Sequence, residues 1–464
     1  MNNKINKLSE YALDETIAAI ATPIGSGGIG IVRISGAKAL SIAANICNFI
    51  SLKPRYMTYG KIYRQDGTLI DDALIVYMPG PHSYTGEDVV ELQCHGGAQV
   101  PAQVLAAVIQ AGARLAMPGE FTLRAFLNGR IDLTQAEAID DLIQAQTPQA
   151  ATVLAQQVSG RLSQELAPIE DDLLDLLASI EVGVDFPDDE DALHAEQIIE
   201  QTRAILLKIE NLLAGAEEGR IIKEGINVCL LGAANVGKSS LMNALLAQER
   251  AIVTQFEGTT RDVIEEYLNL GGLPILLSDT AGLRQAKDEA EHIGISKSHQ
   301  KAIAAQLILL VLDCSRPITE EERAIVASYA DKKMIILLNK SDIASGEHLQ
   351  AYLQKEYPHI IHILVSAKTR SGLDNLEKAI KDLVLAGKVS GQRAGLINNI
   401  RHQEALMAAK ASLEQAIESL EQGCPVDLAA IDLQSAWQSF GEISGKTAGE
   451  EVITRIFSKF CLGK

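Results

Sequence analysis

A glycine-rich segment in the middle of the 464-residue chain has the spacing of a phosphate-binding loop. It runs from Gly232 to Ser239, between an apolar strand-like stretch and a helix-like one. Glycines let backbone N–H groups surround phosphate oxygens, and a helix N-terminus adds partial positive charge. We expect Lys238 to reach the β- and γ-phosphates and the Ser239 hydroxyl to coordinate Mg²⁺. Gly237 and Ser240 complete this predicted nucleotide site.

Three later motifs predict that the nucleotide carries guanine. They are Asp279-Thr280-Ala281-Gly282, Asn339-Lys340-Ser341-Asp342 and Ser366-Ala367-Lys368, each at the end of an apolar run. Asp279 stands where a carboxylate contacts the water shell of the metal, and Gly282 where an N–H senses the γ-phosphate. The Asp342 carboxylate can accept from the N1–H and 2-amino groups of guanine, which adenine lacks, and the Ala367 N–H can donate to the guanine carbonyl. Together with the loop, these motifs predict a GTP-binding domain and exclude an ATPase.

The residue after Gly282 departs from the arrangement of a self-sufficient GTPase. A Ras-like enzyme has glutamine there to orient the attacking water. This chain has Leu283, whose side chain neither donates nor accepts a hydrogen bond. Hydrolysis therefore either depends on a partner or takes a polar group from elsewhere.

Two switch-like segments hold the candidates for that group. In the first, Thr260 is the candidate second Mg²⁺ ligand, and Arg261 fits an arginine finger and a surface salt bridge equally well. The second segment is acidic, and the residues alone do not choose the carboxylate that activates water among Asp288, Glu289 and Glu291.

Other chemically suggestive residues give weaker signals. The run from Gly25 to Gly30 matches the dinucleotide pattern GxGxxG, but a strand-like stretch follows it, so we expect a tight turn. His95 has no further metal ligands nearby in sequence, so we expect a structural role for it. Cys461 lies in a tail with three basic residues and no acid, where cations favour a thiolate. From the residues alone, a functional thiol and an inert one are equally supported.

Composition limits the classes of protein that the chain can belong to. The net charge of -19 excludes a basic nucleic-acid coat, and 16 acidic against 4 basic residues between Arg161 and Arg220 make the acidity regional. Six widely spaced cysteines without a CxxC pair indicate a reducing compartment. With no apolar run of about 18 residues, we expect a cytoplasmic protein without a membrane segment.

The apolar pattern divides the chain into four segments. Residues 1–120 alternate short β-like runs with glycine turns, which predicts a β-rich α+β domain. Residues 121–220 carry helical stripes, and residues 389–464 resume them. Between them, residues 221–388 alternate apolar strands with helices, typical of a mostly parallel sheet buried on both faces. We predict a multidomain α/β protein with a Ras-like P-loop domain inserted into one discontinuous helical domain.

Within the helical segments, local signals predict where helices begin and what they bury. Thr134 with Glu137 fits a capping box that opens a helix, and Pro168 predicts a kink or a restart in the next one. Helical spacing predicts three buried stripes: Leu166, Ile169, Leu173, Leu176 and Ile180; Ile198, Thr202, Ile205, Ile209 and Leu212; Leu406, Ala409, Leu413, Ile417 and Leu420.

As a whole, the chain resembles the MnmE (TrmE) family of tRNA-modification GTPases. The resemblance rests on GGIGIVRISG, SYTGEDVVELQCHGG, PGEFTLRAFLNGRIDLTQAEAIDDLI, the nucleotide motifs and the terminal FCLGK. It implies a homodimer whose N-terminal domain dimerises and binds a 5-formyltetrahydrofolate, next to a helical domain and an inserted G domain. By similarity the folate contacts fall on Arg33, Glu87, Arg130 and Lys464, and Arg130 stands where some members have lysine.

The resemblance also implies how the missing glutamine is replaced. The family's GTPases are activated by K⁺ and by dimerisation of their G domains, without an external arginine finger, so Arg261 loses that role. The catalytic carboxylate carries over to Glu291. The implied K⁺ contacts are the side-chain oxygen of Asn235, the backbone carbonyls of Thr254 and Phe256, and Thr259.

The implied reaction adds a carboxymethylaminomethyl or aminomethyl group to C5 of the wobble uridine of certain tRNAs. It uses the folate as one-carbon source and a flavin- and NADH-using partner, MnmG (GidA), while GTP hydrolysis drives a conformational cycle. Cys461 resembles the family's C-terminal cysteine near the folate, as a nucleophile or a positioning group. Two alternatives are an Era-like assembly switch, which we would expect to carry a basic RNA-binding module, and a folate-dependent transferase that works alone.

Overall fold

The structure is a computed structural model that describes residues 11–23, 25–49, 51–185, 193–248, 267–279, 300–385, 395–461 and 463–464. The chain divides into two compact units. The first comprises Met1–Ile143, Ala155–Ile209 and Glu404–Lys464, and the second comprises Gln144–Leu154 and Glu210–Gln403. In sequence, therefore, the second unit interrupts the first.

The first unit begins with a seven-stranded sheet. Its strands are β1 (Ile17–Ile20), β2 (Ile29–Ser35), β3 (Cys47–Asn48), β4 (Thr58–Tyr63), β5 (Leu69–Met78), β6 (Val89–His95) and β7 (Arg114–Leu115). Their order across the sheet is β3-β4-β5-β6-β2-β1-β7, and β1 with β7 is the parallel pair among antiparallel ones. The run from Gly25 to Gly30 lies between β1 and β2 and enters the second of these strands, so a strand rather than a helix follows it, as the sequence predicts.

Two helices cover one face of this sheet. They are α1 (Ala39–Ile46) and α2 (Gln99–Gln110), and their apolar residues form a core with alternate residues of the strands. On β2, Val32 and Ile34 point into this core. Because side chains alternate along a strand, Arg33 and Ser35 point to the opposite face.

The helices that continue the first unit begin with two short ones. They are α3 (Glu120–Leu127) and α4 (Leu133–Ile143). The predicted capping box of Thr134 and Glu137 is wrong, because Thr134 lies inside the first turn of α4. The cap is two residues earlier: Asp132 Oδ1 accepts from the Gln135 N–H at 2.9 Å, and Gln135 Oε1 accepts from the Asp132 N–H at 3.0 Å. This reciprocal pair satisfies two N–H groups that the helix leaves free.

Six more helices lie, in sequence, before and after the strands of the second unit, and three of them include residues of both units. They are α5 (Pro148–Val158), α6 (Arg161–Asp185), α7 (Ala195–Leu213), α13 (Ile400–Glu421), α14 (Val426–Ser444) and α15 (Glu450–Phe457). All three predicted apolar stripes are buried. Helix α6 runs through Pro168 without restarting. Its stripe is buried and the helix packs against α14, and this burial offsets the hydrogen bond that proline removes.

The second unit contains a six-stranded, mostly parallel sheet. Its strands are β8 (Ile226–Leu231), β9 (Tyr267–Leu270), β10 (Leu273–Asp279), β11 (Leu307–Asp313), β12 (Met334–Asn339) and β13 (Ile361–Leu364). Their order is β13-β12-β11-β8-β10-β9, and the pair β9–β10 is antiparallel. This is the strand order of a Ras-like domain, as the sequence predicts.

Helices of the second unit cover both faces of that sheet. They are α8 (Ala216–Glu224), α9 (Lys238–Gln248), α10 (Glu320–Ser328), α11 (Glu347–Glu356) and α12 (Leu373–Val384). On β8, Val228 and Leu230 belong to one apolar core, and Cys229 and Leu231 belong to the other. Burial on both faces explains the nearly continuous apolar runs of β11 and β12, which are buried along their whole length. Within the described ranges, none of the helices combines the length and apolar character that crossing a bilayer requires.

Candidate functional site

The predicted phosphate loop connects β8 to α9 in a conformation that requires its glycines. Gly232 has φ 147° and Gly237 has φ 100°. A Cβ atom at Gly232 would lie 2.4 Å from the Val311 carbonyl oxygen, and one at Gly237 would lie 2.3 Å from Asn339 Nδ2. Both contacts are impossible, so only glycine fits at either position. A glycine backbone of this kind can present its N–H groups to phosphate oxygens, which fits a nucleotide.

Lys238 and Ser239 open helix α9 at the end of this loop. The Lys238 ammonium donates to the carbonyls of Gly232 at 2.5 Å and of Ala233 at 2.7 Å. It therefore lies across the loop, where a phosphate could replace the carbonyls. Ser239 and Ser240 are exposed in the first helical turn, where the partial positive charge of the helix favours an anion.

The predicted guanine-binding residues lie at the adjacent strand ends and are hydrogen-bonded to each other. Asn339 ends β12, and its Oδ1 accepts from the Ala367 N–H at 3.0 Å. The Ser366 hydroxyl donates to Asp342 Oδ1 at 2.7 Å. These bonds fix the two guanine motifs relative to each other and orient the Asp342 carboxylate.

Asn339 also joins these motifs to the phosphate loop. Its Nδ2 donates to the Val236 carbonyl at 2.8 Å, and the residue is 2% exposed. The carboxyl ends of parallel strands meet at one sheet edge, and one buried amide holds the loops there together.

Lys340 is held by a neighbouring strand end. Its ammonium donates to Asp313 Oδ2 at 2.5 Å, and its backbone has φ 69°. Burial raises the pKa of Asp313, but the hydrogen bonds from Lys340 and Ser315 outweigh this, so the pKa of that carboxyl is lowered. Asp313 therefore stays ionised and keeps Lys340 in place.

The metal and hydrolysis residues are only partly described. Asp279 is the last residue of β10 and is paired in register with Leu230 of β8, so its backbone lies near the start of the phosphate loop. Asn235 is exposed with φ 62°. The other predicted residues lie outside the described part of the chain: Thr254, Phe256, Thr259, Thr260, Arg261, Thr280, Ala281, Gly282, Leu283, Asp288, Glu289 and Glu291.

A second cluster of charged groups lies on the face of the N-terminal sheet opposite helices α1 and α2. Arg33 Nε donates to Glu91 Oε1 at 2.9 Å, and the guanidinium carbon lies 5.1 Å from the Tyr84 ring centroid and 5.7 Å from that of Phe121. Arg33 Nη1 is buried without a hydrogen-bond partner. An unpaired buried donor is costly, so Arg33 fits an acceptor-bearing ligand.

Lys464 lies close to Arg33 and Glu91. Burial lowers the pKa of the Lys464 ammonium, and the charge of Arg33 lowers it further, while Cys461 and Glu91 act in the opposite direction. A Cβ at Gly463 would lie 2.3 Å from the Ile20 carbonyl oxygen, so the chain end packs tightly against β1. Two cations beside the single carboxylate of Glu91 leave a net positive charge, which favours a ligand with negative charge.

Glu87 lies in the loop between β5 and β6, and Arg130 lies in the loop between α3 and α4. The Ser35 hydroxyl donates to Glu87 Oε2 at 2.6 Å, and Arg130 Nε donates to the Ser83 carbonyl at 3.2 Å. Ser35 is two residues after Arg33 on β2, so Glu87 lies on the same sheet face as Arg33. Arg33 and Glu87 therefore lie on one side of the sheet, while Lys464 lies close to Arg33 and Arg130 is bonded to the loop that carries Glu87.

Sequence analysis missed Arg124, which pairs with Glu87. Arg124 Nη1 lies 3.1 Å from Glu87 Oε1, and the guanidinium also pairs with Glu120 at 2.9 Å. The available signal was the Glu120–Arg124 spacing of four residues within a helix that is otherwise apolar except for Thr122. The contact with Glu87, 37 residues away, has no local signal.

The cysteines differ in exposure. Burial raises the pKa of Cys47 to about 12 and, with the charge of Asp71, that of Cys94 to about 11. These thiols stay protonated at neutral pH. Cys461, in contrast to both, is exposed. His95 pairs with Asp71 through Nδ1 at 2.8 Å, and no group of metal-binding side chains occurs among the described residues.

Two family models cover most of the chain. The model described as "GTP-binding protein TrmE N-terminus" matches residues 16–130, and the "MnmE helical domain" matches residues 133–461. Solved structures resemble a smaller part. Era of Aquifex aeolicus bound to GDP and AlF4⁻ is 25% identical, with TM-score 0.29, over 40% of this chain and 66% of that one. The G domain of the FeoB iron transporter of T. maritima is 25% identical, with TM-score 0.26, over 34% of this chain and 98% of that domain's chain.

Relatives align over nearly the full length. A protein of Alkaliphilus metalliredigens named "tRNA modification GTPase MnmE" is 44% identical over 97% of this chain and 100% of its own. Proteins with the same name from Moorella thermoacetica and Acetivibrio thermocellus are 44% and 42% identical over 97% of this chain, and over 100% and 99% of their own. The two family models and these relatives together span the phosphate loop, the guanine motifs and the N-terminal cluster. The chain therefore belongs to the MnmE family.

Proposed function

We propose that this protein is a GTP-hydrolysing enzyme of tRNA modification that acts on C5 of the wobble uridine. One observation carries the proposal. In a chain of the MnmE family, Asn339 joins the phosphate loop to both guanine motifs at one sheet edge. The group added would be carboxymethylaminomethyl or aminomethyl, in a complex with the flavoprotein MnmG (GidA).

In the nucleotide site, each residue has a proposed role. Gly237, Lys238, Ser239 and Ser240 bind phosphates, and Asp342 with Ala367 reads guanine, supported by the hydrogen bonds of Asn339 and Ser366. Bound Mg²⁺ and K⁺ supply positive charge that offsets the charge developing on the phosphates. The Mg²⁺ contacts are Ser239 and Thr260, and the K⁺ contacts are Asn235, Thr254, Phe256 and Thr259. Asp279 to Gly282 senses the γ-phosphate, and Glu291 orients the attacking water.

In the N-terminal site, we propose that Arg33, Glu87, Arg130 and Lys464 bind a 5-formyltetrahydrofolate. The unpaired Arg33 Nη1 and the adjacent Lys464 suit the acidic part of a folate. The Glu87 carboxylate suits its ring N–H groups. Bound folate supplies the one-carbon unit, and Cys461 lies at the chain end next to Lys464, as nucleophile or positioning group.

The domain organisation that accompanies this function is also a proposal. Residues 1–120 bind folate and dimerise, residues 121–220 and 389–464 form the helical domain, and residues 221–388 form the GTPase domain. The protein acts in the cytoplasm as a homodimer, and GTP hydrolysis drives the conformational cycle.

A deletion strain tests the function directly. Mass spectrometry of its tRNA should show wobble uridine without the C5 group, and the tagged protein should co-purify with the flavoprotein. Normal tRNA together with stalled ribosomal subunits would instead identify an assembly switch. Loss of the modification with no requirement for the flavoprotein would identify a transferase that works alone.

A further inference from the structure

We propose that Arg124 is a positioning residue for the N-terminal site: from inside the protein, it holds the Glu87 carboxylate in the direction in which that group meets a ligand. This role rests on the proposed folate function. Arg124 itself touches no ligand and acts through Glu87.

Arg124 lies in the middle of a chain of three charged side chains. Its Nη1 lies 3.1 and 3.2 Å from the two oxygens of Glu87, and its Nη2 donates to Glu120 Oε1 at 2.9 Å. The side chain of Glu120 is 0% exposed and that of Arg124 is 2% exposed, whereas that of Glu87 is 22% exposed. The chain of ion pairs therefore leads from the interior to a carboxylate that reaches the surface.

The planar fork of arginine is necessary for this arrangement. One terminal nitrogen serves Glu87, while the other serves Glu120 and also the Glu15 carbonyl at 2.8 Å. The single ammonium of a lysine cannot keep both carboxylates at these separations. Arg124 Nε is buried without a hydrogen-bond partner, which is destabilising. Since Nε makes no bond that orients the group, the bonds of the terminal nitrogens to the two carboxylates set the orientation of the guanidinium.

Glu87 is held from a second direction as well. The Ser35 hydroxyl donates to Oε2 at 2.6 Å and is itself hydrogen-bonded to Thr85 at 2.7 Å. With Arg124 on one side and Ser35 on the other, the rotation of the carboxylate is restricted. Each carboxylate oxygen still has lone pairs to spare for a ligand, and an acceptor that is already oriented costs less entropy on binding.

The helix that carries Arg124 also contacts the chain end. Arg124 belongs to α3, which packs against α15. The N–H of Gly119, which precedes α3, donates to the Cys461 carbonyl at 3.4 Å. A Cβ at Gly119 would lie 2.4 Å from the Phe457 carbonyl oxygen. One short helix therefore supports Glu87 and the segment that bears Cys461 and Lys464.

Calorimetric titration of the full-length protein with 5-formyltetrahydrofolate tests this role. We expect Arg124→Lys to weaken binding by about tenfold to a hundredfold, the range for one lost charge-assisted contact. Arg114→Lys is the matched control, because Arg114 pairs with the same Glu120 at 2.6 Å while its other contacts are with Glu15 and backbone carbonyls. Its affinity should stay within about twofold of wild type.

A double-mutant cycle separates positioning from general support of the fold. In a Glu87→Gln background, Arg124→Lys should change the affinity by less than about twofold, because its effect passes through Glu87. Equal losses in both backgrounds, or an unchanged affinity in Arg124→Lys alone, would overturn the proposal.

Two further measurements keep the result interpretable. If Arg124→Lys does not fold, Ser35→Ala removes the other contact to Glu87, and it should weaken binding several-fold in wild type but not in Glu87→Gln. The fluorescence of the single Trp437 and the GTPase rate report whether a variant is folded. If the wild-type protein has normal GTPase activity but binds no folate, the proposed folate function is wrong. If it binds folate but the losses from Arg124→Lys and Glu87→Gln are additive, only the positioning role of Arg124 is wrong.

Discussion

Asn339 donates a hydrogen bond from its side-chain amide to the Val236 carbonyl at 2.8 Å, across 103 residues of sequence. The same amide accepts from the Ala367 N–H, so one buried side chain connects the phosphate loop to both guanine motifs. In the proposed function, the position of the base is therefore coupled to the position of the phosphates. Gly237 permits this contact, since a Cβ at that position would collide with Asn339 Nδ2.

Asn339→Ala should loosen the whole site. It leaves the buried Val236 carbonyl and the half-buried Ala367 N–H without this partner, which costs about 1–3 kcal/mol for the carbonyl and less for the N–H. We expect GDP affinity to fall at least about tenfold, measured by calorimetric titration. Asn269→Ala is the control, because its Oδ1 accepts from the Gly272 N–H in the turn between β9 and β10. If both variants bind GDP like wild type, the coupling is absent.

Asp342→Asn should change the base that is bound. The carboxylate accepts from two guanine donors, and an amide N–H placed there repels one of them but suits the 2-oxo group of xanthine. Because the Ser366 hydroxyl can still donate to the remaining oxygen, the loop should stay in place. We expect GTP affinity to fall about a hundredfold or more and xanthosine triphosphate to become the better substrate in a hydrolysis assay. Undiminished GTP binding would argue against the guanine role of Asp342.

GTP hydrolysis should depend on K⁺. Leu283 cannot orient water, so the proposed K⁺ contact of Asn235 compensates by offsetting charge on the phosphates. We expect the rate to rise at least about tenfold when Na⁺ is exchanged for K⁺ at constant ionic strength. Asn235→Gly is the sharpest variant, since glycine keeps the backbone at φ 62° while removing the amide. Its rates in the two salts should be nearly equal; a large remaining K⁺ effect would place the ion elsewhere.

Glu291→Ala should reduce turnover without weakening nucleotide binding. The proposed role of Glu291 is on the attacking water, so its loss removes an interaction of the transition state only. We expect kcat to fall about a hundredfold or more, with the Kd for a non-hydrolysable GTP analogue within about twofold of wild type. Asp288→Ala and Glu289→Ala are controls from the same acidic segment. A similar loss in either of them would reopen the choice of carboxylate.

Thiol labelling should distinguish the cysteines. Since the thiolate is the reactive form, burial that raises the pKa of Cys47 to about 12 and of Cys94 to about 11 makes both slow to alkylate. Cys461 is exposed and should react first with iodoacetamide at pH 8, as followed by peptide mass spectrometry. Cys461→Ser should remove the fast phase. Fast labelling of Cys94 in the native protein would contradict its burial.

Features with short-range signals could be predicted from the sequence. The helical stripes recur every three or four residues, and strands such as β11 and β12 are almost wholly apolar because both faces of their sheet are covered. The phosphate loop needs particular residues at adjacent positions, so its pattern is visible without a structure. The cap of α4 shows the limit: Thr134 and Glu137 fit the same pattern as Asp132 and Gln135, and only geometry separates them.

By itself, the sequence determined the family, the nucleotide motifs and the order of the elements, because each depends on residues that are neighbours along the chain. Only the tertiary structure decided that Asn339 ties the guanine motifs to the phosphate loop and that Arg124 supports Glu87. Those contacts join residues 103 and 37 positions apart. Such pairs meet when strands and helices pack, and packing is set by the apolar cores of the whole unit rather than by any local pattern.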